Sequence, residues 1–187
     1  MSKKIKIVSS ILGMFFVVMP IAIVGIYFSD NIKGYFKFKH LCETEGGLKV
    51  YEKLERNVGW EVERKRNAYV PAYYENVAFV RFQDKSKKID IKYKEGPREF
   101  RKSFDFIDAD LSLKTKYKYI YEDKRLDDRL LVSRTVFKVI DIESASTALE
   151  FVSFGYSMFD RNKTILAAPS ATRCFKFDLA MIGDNFE

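Results

Sequence analysis

Two hydrophobic periods divide the chain. From Ile7 to Phe28 no charged residue occurs over 22 positions. As a helix that run would be about 33 Å long, enough to cross the hydrocarbon of a bilayer. Pro20 within it is tolerable, because neighbouring groups in a membrane helix can re-satisfy the freed carbonyl. The run is longer than the apolar part of a cleaved signal peptide, and no small-x-small pair closes it, so it predicts an uncleaved anchor. A helical stripe then continues through Phe28, Ile32, Tyr35 and Phe36, with Lys33 and Lys37 off it. Gly46-Gly47 supplies the stop, since glycine readily takes the left-handed conformation that closes a helix. Residues 1–46 therefore predict a transmembrane anchor helix with an extramembrane stalk.

Beyond Gly47 the period drops to two. "LKVYEK" (Leu48–Lys53) reads as a short strand, and residues 54–76 read as irregular. "VAFVRF" (Val77–Phe82) and "KIDIKYK" (Lys88–Lys94) predict a hairpin, with Ile89, Ile91 and Tyr93 on one face and Asp90, Lys92 and Lys94 on the other. "FRKSFDF" places Phe100, Lys102, Phe104 and Phe106 together. "TKYKYIY" does the same for Thr115, Tyr117, Tyr119 and Tyr121. Leu130–Ile142 and Ala148–Phe159 are apolar on both faces, as central strands are. "TILAA" and "TRCFKFD" complete about nine strands, with no helix expected after Gly47. Residues 47–187 thus predict a β-rich soluble domain, an all-β antiparallel sandwich or open barrel.

The formal charge of +7 changes this picture little once it is located. Residues 1–40 hold six lysines and one aspartate, a net of +5, which leaves +2 for the rest. Lys3, Lys4 and Lys6 flank the apolar run on one side, and Lys33, Lys37 and Lys39 on the other, where lysines meet anionic headgroups. The nearly neutral domain argues against nonspecific nucleic-acid binding. The flanks tie in lysine count. The closer N-terminal cluster, with the free amine, points to an N-terminus in the cytoplasm and a domain outside.

Cys42 and Cys174 stand at opposite ends of the domain. Cys42 lacks the small residues that precede a lipid-modified cysteine, and with His40 it makes too few ligands for a metal. If Phe175 and Phe177 face the core, Cys174 faces outward, toward the end of the stalk. A bridge between Cys42 and Cys174 would close a loop of about 130 residues, worth at most about 5 kcal/mol in the chain-entropy model. Two such cysteines suit an oxidising compartment.

Candidate chemistry is sparse. His40 is the only histidine, which excludes Ser-His and Cys-His dyads in the β domain. Asp108-Ala109-Asp110-Leu111-Ser112 starts like a calcium loop, but Leu113 and Tyr119 stand where glycine and glutamate are needed. No metal, cofactor or catalytic residues are expected. The suggestive stretch is "WEVERKRNAYVPAYYENVAFVRF", which mixes Trp60, Tyr69, Tyr73 and Tyr74 with Arg64 and Arg66. Aromatics and arginine anchor binding patches, so these six residues form a candidate partner-binding patch. Aromatics interleaved with bases also fit single-stranded nucleic acid. The competing reading is a loop folded over the sheet with its tyrosines half buried.

The stretch Leu41–Tyr51, "LCETEGGLKVY", directly after an N-terminal anchor, resembles a group of uncharacterised anchored envelope proteins of Gram-negative bacteria. They share a cysteine, a glycine about four residues on, and a Lys-aliphatic-Tyr strand. The resemblance implies an inner-membrane protein with a periplasmic domain and implies no activity. The expected function is that of a single-pass binding protein, not an enzyme. It would act as an accessory, immunity-like or assembly factor, with the bilayer and another envelope protein as partners. A carboxylate-based hydrolase of an envelope polymer and a cytoplasm-facing nucleic-acid binder are the alternatives.

Overall fold

The computed structural model describes residues 18–23, 25–26, 28–94, 104–158, 171–176 and 179–187. Helix α1 spans Ser29–Glu45. Strand β1 (Gly47–Val50) follows, then β2 (Val58–Val62), helix α2 (Lys65–Ala72), β3 (Val77–Asp84), β4 (Lys87–Tyr93) and β5 (Phe104–Asp108). The chain continues with β6 (Thr115–Asp127), β7 (Val132–Asp141), β8 (Thr147–Ser157), β9 (Ala171–Arg173) and helix α3 (Leu179–Gly183).

The β-rich class is as expected, but the exclusively antiparallel pairing is not. The described strands join one mixed sheet in the order β1-β8-β7-β6-β2-β3-β4-β5, with β9 also on β8. Two antiparallel meanders, β3-β4-β5 and β6-β7-β8, meet on β2, which runs parallel to both β3 and β6. Consecutive parallel strands need a crossover, and α2 supplies it between β2 and β3. Residues 54–76, expected to be irregular, hold both β2 and α2.

Alternation decides which residues cover which face. Leu149, Val139, Tyr119, Val62, Phe82 and Ile89 stand opposite one another in one row across six strands. A second row runs through Tyr117, Trp60, Val80, Ile91 and Phe106. This face carries the main core, and α2 and α3 lie on it. Ala68, Pro71 and Ala72 form the buried stripe of α2. Their small side chains let the helix lie close to the sheet. That packing outweighs an uncapped start and an internal proline, both of which oppose helix formation locally. The sequence pattern hid this helix because its apolar stripe is made of alanine and proline.

The opposite face is polar at one end and apolar at the other. Across β2, β3 and β4 it carries Glu61, Arg81 and Asp90 in register. Arg81 and Asp90 are buried and paired by two hydrogen bonds of 2.7 and 2.8 Å. The same guanidinium donates to the carbonyls of Leu113 and Asp110, fixing the β5–β6 connection over this face. Gly59 leaves room for the Phe79 ring, which a Cβ at that position would overlap. At the other end, Val132, Val136, Val152, Phe154 and Tyr156 form a second cluster. This is why β7 and β8 are apolar on both faces.

Helix α1 covers that second cluster, so residues 29–45 are not a free stalk. Gly34, Phe38 and Cys42, four residues apart, are its buried positions. The predicted stripe of Ile32, Tyr35 and Phe36 is instead its exposed face. Asp30 pairs with Arg129 and Lys37 with Asp127, and the Tyr156 hydroxyl donates to the Asn31 carbonyl. The helix ends where expected: Gly46 donates to the Leu41 carbonyl, and Gly47 takes φ +110°.

No helix among the described residues is long and apolar enough to cross a membrane. Residues 7–17, 24 and 27 of the predicted span lie outside the described residues. Residues 18–23, 25 and 26 are helical, and Val18, Met19, Ile21, Ile23 and Ile26 among them are exposed.

Candidate functional site

The expected bridge is present: Cys42 and Cys174 are joined, with Cα atoms 5.8 Å apart and a separation of 132 positions in sequence. The sheet explains their meeting. Strands β1 and β9 pair with the same edge of β8, at Leu149–Val152 and Gly155–Ser157. The helix leading into β1 and the residue following β9 are therefore neighbours. The inference from core-facing phenylalanines was mistaken, however. Phe175 is exposed and lies against Gly46 rather than in the core. Residues 177 and 178 and "TILAA" lie outside the described residues, as do Phe100 and Lys102.

The six residues of the predicted patch separate into three groups. Trp60 is fully buried on β2, edge-on to Tyr117 at 5.7 Å and tilted against Tyr119 and Phe186. Tyr74 is buried beside it. These two are core residues, because β2 is the central strand and α2 lies over it. Tyr69 on α2 and Tyr73 at its C-terminal cap are half-buried and pack edge-on against Phe104 at 5.6 and 4.9 Å. Burial, with the neighbouring Tyr93, raises the Tyr73 phenol above its ordinary range. Only Arg64 and Arg66 are exposed.

What the structure brings together instead is a cleft of about 540 Å³ between α2 and the β6–β7 pair. Arg66, Asn67 and Val70 line it from the helix; Tyr119, Tyr121, Asp123 and Phe137 line it from the sheet. An adjoining groove of about 470 Å³ adds Glu63, Arg64, Glu122 and Lys124. The alternation of β6 sets Tyr119, Tyr121 and Asp123 on the α2 face in succession. The period-two pattern of β6 places these tyrosines on one face, but the cleft exists only because α2 lies over them.

Three features distinguish this cleft. The first turn of α2 carries no acidic residue and no side-chain cap, yet holds Lys65 and Arg66 behind Arg64. Cations at the positive end of a helix dipole are unfavourable there. Lys65 is paired with Asp84 and sits over the Phe106 ring. Arg66 has no carboxylate partner among the described residues. Second, the Tyr119 hydroxyl is buried without a hydrogen-bond partner among the described residues, and burial holds its phenol far above the ordinary range. Third, Asp123 accepts a 2.9 Å hydrogen bond from the Thr135 hydroxyl, which orients its carboxylate.

A larger hollow of about 730 Å³ opens on the opposite face, between Gly59, Phe79 and the lysines 92, 114 and 116. Lys116 there is engaged by Glu55. Elsewhere the carboxylates serve turns. Asp110 accepts from the Ser112 amide and hydroxyl, and Asp141 from the amides of Glu143 and Ser144. His40 is exposed on α1. No group of three or more His, Cys, Asp or Glu among the described residues is placed to hold a metal ion.

No protein-family model matches the chain, and no curated protein or solved structure matches it.

Proposed function

We propose that the chain is a single-pass, membrane-anchored interaction protein of the bacterial envelope. Residues 7–28 would hold it in the cytoplasmic membrane, with its β-rich domain in the periplasm. There it would bind another envelope protein as an accessory, immunity-like or assembly factor. The observation that carries this reading is the Cys42–Cys174 bridge. Disulfides persist in oxidising compartments and are rare in the cytosol. This one joins the helix that follows the apolar run to the far end of the domain. The exposed apolar side chains between Val18 and Ile26, and Tyr35 and Phe36 beyond them, support a chain leaving a bilayer. Aromatic residues collect at that interface. The likeness of Leu41–Tyr51 to anchored envelope proteins points the same way.

The test is a pair of measurements on the full-length chain. Membranes washed with carbonate should retain it. A reporter fused after Glu187 should be active only outside the cytoplasm. Release by carbonate would remove the anchor, and a reporter active only in the cytoplasm would reverse the orientation.

A further inference from the structure

We propose that the cleft between α2 and the β6–β7 pair binds a small zwitterion: a free amino acid or a short peptide, with one carboxylate, one ammonium and an apolar side chain. This rests on the binding role proposed above and gives it a ligand class.

The lining has one group for each part of such a molecule. Arg66 supplies a guanidinium whose fork matches a carboxylate bidentately. It sits in the uncapped first turn of α2, where helix and side-chain charges both favour an anion. Tyr119 extends from β6 beneath α2 and is 1% exposed. Its side chain lines the cleft while its hydroxyl is buried out of reach of solvent, so the polar contacts to a ligand fall to Arg66, Asn67 and Asp123. Asp123, oriented by Thr135, faces the same space and can accept from an ammonium. The Asn67 amide donates and accepts. Val70 and Phe137 form an apolar wall.

Charge selects the zwitterion over a phosphate. The adjoining groove carries Glu63, Glu122 and Asp123 against Arg64, Arg66 and Lys124. A dianion would meet three carboxylates there, whereas a body with one charge of each sign finds a complement for both. A volume of about 540 Å³ lies within the usual range for small-ligand sites. A nucleic-acid strand would need a cationic track, and this lining is balanced.

Calorimetry on the full-length chain in detergent tests the assignment with four probes: phenylalanine, alanyl-phenylalanine, the amide of that dipeptide and its N-acetyl form. One of the two free zwitterions should bind at about 1 mM or tighter, and which one binds better separates the amino-acid source from the peptide source. Amidation and Arg66→Ala should each weaken binding about tenfold or more, with Arg66→Lys recovering part of it. N-acetylation and Asp123→Asn should weaken it several-fold. Amide shifts on adding the best probe should centre on residues 66–67 and 119–123, which tests the site in the unaltered chain. No binding by any probe, equal binding of acid and amide, or full affinity in Arg66→Ala overturns the proposal. The reporter at Glu187 scores location separately. Absence of binding with an external reporter removes the ligand and leaves the envelope reading intact.

Discussion

A Cβ atom on Gly34 would stand 2.5 Å from the carbonyl oxygen of Leu130. Helix α1 therefore approaches the β6–β7 turn as closely as backbone allows, and only glycine fits at the crossing. Gly34→Ala should lower stability by about 1–2 kcal/mol, the overpacking cost less the helix propensity gained. Lys33→Ala, on the exposed side of the same turn, should change it by less than about 0.5 kcal/mol. A urea titration followed by Trp60 fluorescence compares the two.

The same docking predicts the behaviour of a shortened chain. One starting at Gly47 lacks α1, uncovers Val132, Val136, Val152, Phe154 and Tyr156, and leaves Cys174 unpaired. It should aggregate or bind hydrophobic dyes. One starting at Ser29 should elute as a single compact species on size exclusion. Equal behaviour of the two would mean that α1 is dispensable to the domain.

Arg81 and Asp90 are buried together, and the carbonyls of Leu113 and Asp110 depend on the same guanidinium. Arg81→Met leaves a buried, uncompensated carboxylate and should cost about 3–5 kcal/mol. The double variant Arg81→Met/Asp90→Leu should recover part of that loss, because no lone charge remains. Urea midpoints of the two variants give the comparison.

Acid should loosen the start of α1. The Arg129 guanidinium holds the Asp30 carboxyl below its usual value. The Leu130 amide, and then Lys37, do the same for Asp127. A carboxyl depressed in the folded state adds stability above its unfolded pKa of about 3.9, and that stability is lost as pH falls through the folded value. Amide exchange in residues 29–38 should therefore accelerate below about pH 4. Exchange near Cys42 should change less, since the bridge holds that end. Asp30→Asn with Asp127→Asn should flatten the pH dependence.

Legibility from the sequence followed the strength of the local pattern. Strict alternation gave the β3–β4 hairpin, β6 and the two-faced β7 and β8, and the paired glycines gave the end of α1. The parallel placement of β2 was not legible, because five residues of strand carry no mark of which neighbours they will pair with. Helix α2 was missed because alanines and a proline make its buried stripe. Trp60 and Tyr74 were read as surface anchors for the same reason: without α2, nothing covered them. The apolar stripe of Ile32, Tyr35 and Phe36 marked the helix but not its packing: Gly34, Phe38 and Cys42 form the buried face, and two small residues there allow close approach. Tyr119 and Arg66 are distant in sequence, and only the crossover places them on one cleft.

The most direct measurement of the central claim is the thiol state of Cys42 and Cys174 in intact spheroplasts. A membrane-impermeant thiol reagent is applied before and after reduction, without lysis. A bridged domain outside the cytoplasm predicts no labelling before reduction and labelling of both cysteines after it. Labelling of either cysteine without reduction, or labelling that requires lysis, would contradict it.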